Sequence, residues 1–123
     1  MFSKEVLNIF SNPVNAGRIK KPDAVEDLFN SNKTAHIEFS MRIENGLIKD
    51  CKFRAQAEPD IIAICDTVAG AVLNKPANMI LVDAASIAKS LKVNTEDVRF
   101  CIDCAVATLQ EYKNKLMKAN KKD

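Results

Sequence analysis

The chain has 123 residues, 47% hydrophobic and 28% charged, enough for one domain that buries roughly two-thirds of its unfolded surface. Eighteen basic residues against sixteen acidic ones leave a formal charge of +2, far from the concentrated positive field of a nucleic-acid binder. No apolar run approaches the ~20 residues of a membrane span, and Met1-Phe2-Ser3-Lys4-Glu5 does not read as a signal peptide, so a cytoplasmic protein with reduced cysteines is expected.

Phe2, Val6, Leu7, Ile9 and Phe10 predict one apolar face of a short helix capped by Ser3 and stopped by Pro13. Residues 16–23 hold Gly17, Pro22 and three cations and read as a surface loop, followed by a short irregular strand over residues 24–29. Over residues 35–43, Ala35, Ile37, Phe39, Met41 and Ile43 alternate with His36, Glu38, Ser40 and Arg42, the pattern of a half-buried strand whose polar face is free to stay wet. Asn45-Gly46 suits a type I′ turn, and residues 47–55 return as a second strand with Cys51, Phe53 and Ala55 on one face.

The period changes at Glu58-Pro59-Asp60, where Ile61, Cys65, Val68 and Val72 recur at helical spacing until Asn74-Lys75-Pro76. A short helix is predicted over residues 84–91, with Ile87, Ala88 and Leu91 inward. A final helix starts at Asn94 or Thr95 and runs to about Lys118, with Cys101, Cys104 or Ala105, Thr108 or Leu109, Tyr112 and Leu116 along its apolar line. The order predicts an α+β fold: a mainly antiparallel three-stranded sheet with helices packed on one face. A single domain over residues 1–118 and a frayed basic tail over 119–123 complete it.

No nucleophile with its base and no carboxylate pair can be assembled, and three glycines leave no phosphate cradle, so no enzymatic activity is expected. The four cysteines carry whatever chemistry there is. Cys101 and Cys104 form a Cys-x-x-Cys pair on one helix face, open to metal binding, redox pairing or core packing. Cys51 and Cys65 lie on apolar faces and are expected in the core. His36, the single histidine, faces solvent or, with a one-residue slip, a metal. Glu58 and Asp60 serve as helix-start charges or as oxygen ligands.

The stretch Asn12-Pro13-Val14-Asn15-Ala16-Gly17, the hairpin Gly46-Leu47-Ile48-Lys49-Asp50-Cys51-Lys52-Phe53, Ser86-Ile87-Ala88-Lys89-Ser90-Leu91 and Tyr112-Lys113-Asn114-Lys115 together resemble, in this order, the NifU/IscU-type iron–sulfur cluster scaffolds. The resemblance spans residues 2 to about 118. It implies a transient cluster on three cysteines and an aspartate or histidine, sulfur from a cysteine desulfurase, and delivery to apo iron–sulfur proteins. The family's first cysteine, in an alanine-cysteine-glycine-aspartate turn, matches Lys33 within Asn32-Lys33-Thr34-Ala35. Its second matches Glu58. Its last histidine-cysteine pair falls on Cys101-Ile102, or on Cys104 after a small shift. The family's leucine-proline-proline-valine-lysine segment, which recruits a chaperone in some members, has no proline here.

The resemblance thus implies a divergent scaffold binding iron or a labile cluster at Cys101 and Cys104, with Glu58, Asp60 and His36 as partners. The alternatives are a cluster-free interaction or regulatory module on the same fold and a zinc or thiol-redox protein.

Overall fold

The structure is a computed structural model that describes residues 1–120. Seven elements follow one another: α1 (Lys4–Phe10), β1 (Ala24–Phe29), β2 (His36–Glu44), β3 (Leu47–Gln56), α2 (Pro59–Val72), α3 (Ala84–Leu91) and α4 (Thr95–Asn120). Of the tail expected over 119–123, residues 121–123 lie outside the described residues.

The strands form one antiparallel sheet in the order β1-β2-β3. The hairpin turn takes positive φ at both Asn45 (52°) and Gly46 (75°), as a type I′ turn requires. β1, expected to be irregular, pairs residue for residue with β2 from Ala24↔Met41 to Phe29↔His36. The irregularity lies instead in the β2–β3 pairing, where the register shifts between Arg42 and Ile43. The Asp23 carboxylate accepts from the Ile43 N–H at 2.7 Å, so the shift leaves no orphaned donor there.

One face of the sheet is apolar because the period-2 pattern puts Ile37, Phe39, Met41 and Ile43 beside Ile48, Cys51 and Phe53, all buried. Ile61, Ile64, Cys65 and Val68 of α2 and Val98, Cys101, Cys104 and Ala105 of α4 complete the same core. Helix starts follow local chemistry. Pro59 opens α2, the Asp83 carboxylate caps α3 by accepting from Ala85 and Ser86 N–H, and Asn94 Oδ1 accepts from Glu96 N–H at 2.7 Å before α4.

The opening motif is a structural strap. Gly17 N–H donates to Phe53 O at 2.7 Å and Phe53 N–H to Asn15 O at 3.0 Å, so residues 15–17 cover the outer edge of β3. Gly17 has φ 133°, a conformation that favours glycine. Asn15 is clamped from α2: its N–H donates to Asp66 Oδ1 at 2.7 Å and its Nδ2 to Asp66 O at 3.1 Å. Further along, the Ile19 N–H donates to Ser40 Oγ at 3.1 Å. Ser40 is therefore only 1% exposed, and the polar face of β2, expected to be wet, is covered at its middle.

Asp66 is 8% exposed and holds a backbone donor of the strap. Asp66→Ala is expected to lower unfolding free energy by about 1–3 kcal/mol, because the Asn15 N–H loses its partner. Asp66→Asn, which keeps an oxygen at that place, is expected to lose less. Urea midpoints of the three proteins check this; equal midpoints for parent and Asp66→Ala would contradict the clamp.

Candidate functional site

The cluster positions named by the resemblance belong to one end of the sheet. Gln56 at the end of β3 pairs with His36 at the start of β2, which brings the β1–β2 loop (30–35) and the first turn of α2 to the same end. The loop is closed on itself. Asn30 Nδ2 donates to Thr34 Oγ1 at 2.9 Å, Thr34 Oγ1 donates to Asn32 Oδ1 at 2.7 Å, and Asn30 Oδ1 accepts from Ala35 N–H at 2.9 Å. Lys33 sits at its tip, exposed, with φ 58°. The loop that the resemblance matches to the family's cysteine-bearing turn is a self-satisfied polar loop carrying a cation.

Glu58 is exposed and makes no side-chain capping bond to α2, whereas Asp60 Oδ1 accepts from the N–H of Ile61 at 2.9 Å. Asp97, in the first turn of α4, has its carboxyl pushed up by burial and then by the charges of Asp60 and Glu96. Asp60 at the start of α2 is thus near enough to Asp97 at the start of α4 for their like charges to interact, one turn before Cys101.

The thiols face inward. Cys101 and Cys104 are both 0% exposed, and they turn to different neighbours. The sulfurs of Cys65 and Cys101 lie 3.6 Å apart, while Cys104 Sγ donates to the carbonyls of Glu26 at 3.6 Å and Ile37 at 3.8 Å. Burial pushes the Cys104 thiol up to about 12, against the opposing pull of a hydrogen bond from the Phe39 backbone. Burial, then the Asp50 and Cys104 charges, carries Cys51 to about 12, and burial also raises Cys65. A metal needs the thiolate, and burial disfavours that form at Cys51, Cys65 and Cys104.

His36 is paired elsewhere. Its Nε2 lies 2.6 Å from Asp27 Oδ2 and its ring stacks on Phe29 at 4.1 Å between centroids. It borders an open cleft of about 520 Å³ along β2 and β3, also lined by Glu38, Arg54 and Gln56. Arg54 engages Glu38 through two bonds of 3.0 Å, and Arg18 approaches the same carboxylate at 3.8 Å.

Among the described residues, no group of three His, Cys, Asp or Glu side chains is placed to hold a metal ion. Asp60 is brought towards α4, but Cys101, Cys104, Glu58 and His36 do not converge with it into a ligand set. Sequence reasoning missed two contacts, Cys65 with Cys101 and Asp27 with His36, and the charge interaction of Asp60 with Asp97. The helical stripe through Cys65 was the available signal for the first. The others depend on strand register and helix crossing, which are not local properties.

Among the described residues, no helix is long and apolar enough to cross a membrane. No curated protein matches this chain in sequence. Among solved structures, the fold is similar to the N-terminal part of a nitrogen-fixing NifU-like protein from Brucella abortus, with TM-score 0.72 and 14% identity over 92% of this chain and 94% of that one. It is also similar to a protein of Fervidobacterium islandicum described as an iron–sulfur cluster assembly scaffold for the SUF system, with TM-score 0.62 and 15% identity over 95% of this chain and 85% of that one. At such identities the likeness is one of fold. The sequence model of the NifU-like N-terminal domain matches residues 1–121, nearly the whole chain. The chain therefore belongs to the NifU-like N-terminal domain family.

Proposed function

We propose that this protein serves iron–sulfur cluster assembly as a non-catalytic, scaffold-like body that binds assembly partners, a cysteine desulfurase and apo iron–sulfur proteins, in its metal-free form. Family membership supports the assembly role. One observation carries the metal-free form: the two thiols nearest the expected ligand positions, Cys101 and Cys104, are wholly buried and bonded within the core. Lys33 and Glu58, which the resemblance matches to the other two cysteine positions, are exposed. As folded, these residues do not fit a cluster, whose soft iron sites take thiolates.

A second reading is favoured by the like charges of Asp60 and Asp97, which act on one another one turn from Cys101. Ferrous iron or a labile cluster, as cargo, would be held by Cys101 and Cys104 with Glu58, Asp60 or His36 once the first turns of α4 open. A cation there relieves the carboxylate repulsion, which is the physical reason to consider it.

The test has two arms. The metal-free chain is titrated with a cysteine desulfurase, and a parallel sample is incubated with ferrous iron and sulfide without air, then analysed for bound iron and acid-labile sulfide. Saturable desulfurase binding that survives Cys101→Ala/Cys104→Ala, with little retained iron, is expected. Stoichiometric iron and sulfide lost in that double variant would replace the first reading by the second. Absence of desulfurase binding would remove the first outright.

A further inference from the structure

The Cys65 and Cys101 sulfurs are 3.6 Å apart on two packed helices, both side chains with no exposure. We propose that they form a redox-active dithiol, which a hydroperoxide converts to a disulfide joining α2 to α4. The pair is selective. Cys104 directs its thiol to the carbonyls of Glu26 and Ile37 on the sheet, and Cys51 lies on β3, so neither competes at the same contact distance.

A disulfide requires sulfurs about 2.05 Å apart. Each must therefore move by less than about 1 Å, which small side-chain rotations and a slight approach of the helices supply. The chemistry balances in two steps. One thiol, as thiolate, attacks the O–O bond of the hydroperoxide, giving a sulfenic acid and releasing an alcohol, or water when the oxidant is hydrogen peroxide. The neighbouring thiol then attacks the sulfenic sulfur, the S–S bond forms, and the sulfenic oxygen leaves as water. Two thiols are oxidised by two electrons and one peroxide is reduced.

Burial and contact divide the control of this reaction. Burial makes the first step depend on local opening, so the reaction is slow in the closed fold. Contact makes the second step intramolecular and immediate, so the sulfenic acid condenses before another peroxide can carry it to the sulfinic level. The product ties residue 65 to residue 101, joining the middle of α2 to the second turn of α4 and withdrawing Cys101 from any metal.

The experiment uses the full chain, reduced and metal-free, exposed to hydrogen peroxide in buffer and in urea just below the unfolding transition. Thiols are then alkylated in denaturant and located by mass spectrometry without reduction. Expected are the loss of two hydrogens from the intact mass, a linked peptide joining Cys65 to Cys101, and alkylation of Cys51 and Cys104 alone. The oxidised protein also shows a higher urea midpoint, reversed by dithiothreitol. Cys65→Ala gives no linked peptide, and its Cys101 is recovered either free or over-oxidised. Full alkylation of Cys65 and Cys101 after exposure in sub-denaturing urea would overturn the pair. Their separate conversion to sulfinic acids, or a bridge between Cys101 and Cys104, would do the same.

Discussion

Phe39→Ala is expected to cost about 3–5 kcal/mol of unfolding free energy, a large part of the roughly 5–15 kcal/mol that holds a domain of this kind together. Phe39 is 0% exposed at the centre of β2, its ring 6.5 Å from that of Phe53 on β3 and tilted to it by 46°. Truncation removes the transfer energy of the ring and leaves a hole between sheet and helices that cannot fully collapse. Phe39→Leu, which keeps most of the volume, is expected to lose less than half as much. Urea unfolding followed by circular dichroism reads both, and a loss below about 1 kcal/mol for Phe39→Ala would contradict the packing.

The second large effect is alkaline destabilisation. In the unfolded chain the thiols ionise near 9.0, whereas burial holds Cys51 and Cys104 up to about 12 in the folded one. Between those values the unfolded chain releases protons that the folded chain keeps. The stabilisation is therefore complete below pH 9 and is lost as pH climbs towards 12. Each thiol contributes about 1.4 kcal/mol per pH unit within that window, and Cys65, also raised, acts in the same direction. Urea midpoints measured from about pH 8 to 11 should fall steeply for the parent and less steeply for Cys51→Ala/Cys104→Ala. Parallel slopes would show that these thiols titrate alike in both states.

Much of the fold was legible because its elements announce themselves locally. The alternation from Ala35 to Ile43, the Asn45-Gly46 turn and the change of period at Pro59 each rest on neighbouring residues, and each became the element it indicated. The motif around Asn15 and Gly17 was legible as a family mark, but its work was not. Clamping Asp66 and pairing with Phe53 join residues far apart in the chain. The site was least legible. A Cys-x-x-Cys spacing states that two sulfurs share a helix face and says nothing of what that face meets. Here it meets α2 at Cys101 and the sheet carbonyls at Cys104. His36 likewise could be assigned to the polar face, whereas its partner Asp27 follows only from the register of β1 against β2.

The ties between the opening segment and residues far along the chain also bear on biosynthesis. Ser3 accepts from Val6 N–H and donates its hydroxyl to Leu91 O at 2.6 Å, a contact across 88 positions, and Asn15 reaches Asp66 across 51. On a ribosome residues 3–17 emerge before Asp66 and Leu91 exist. They must wait, solvated, while the hairpin forms from contacts close in sequence. A segment made before its partners consequently docks only once they have followed it.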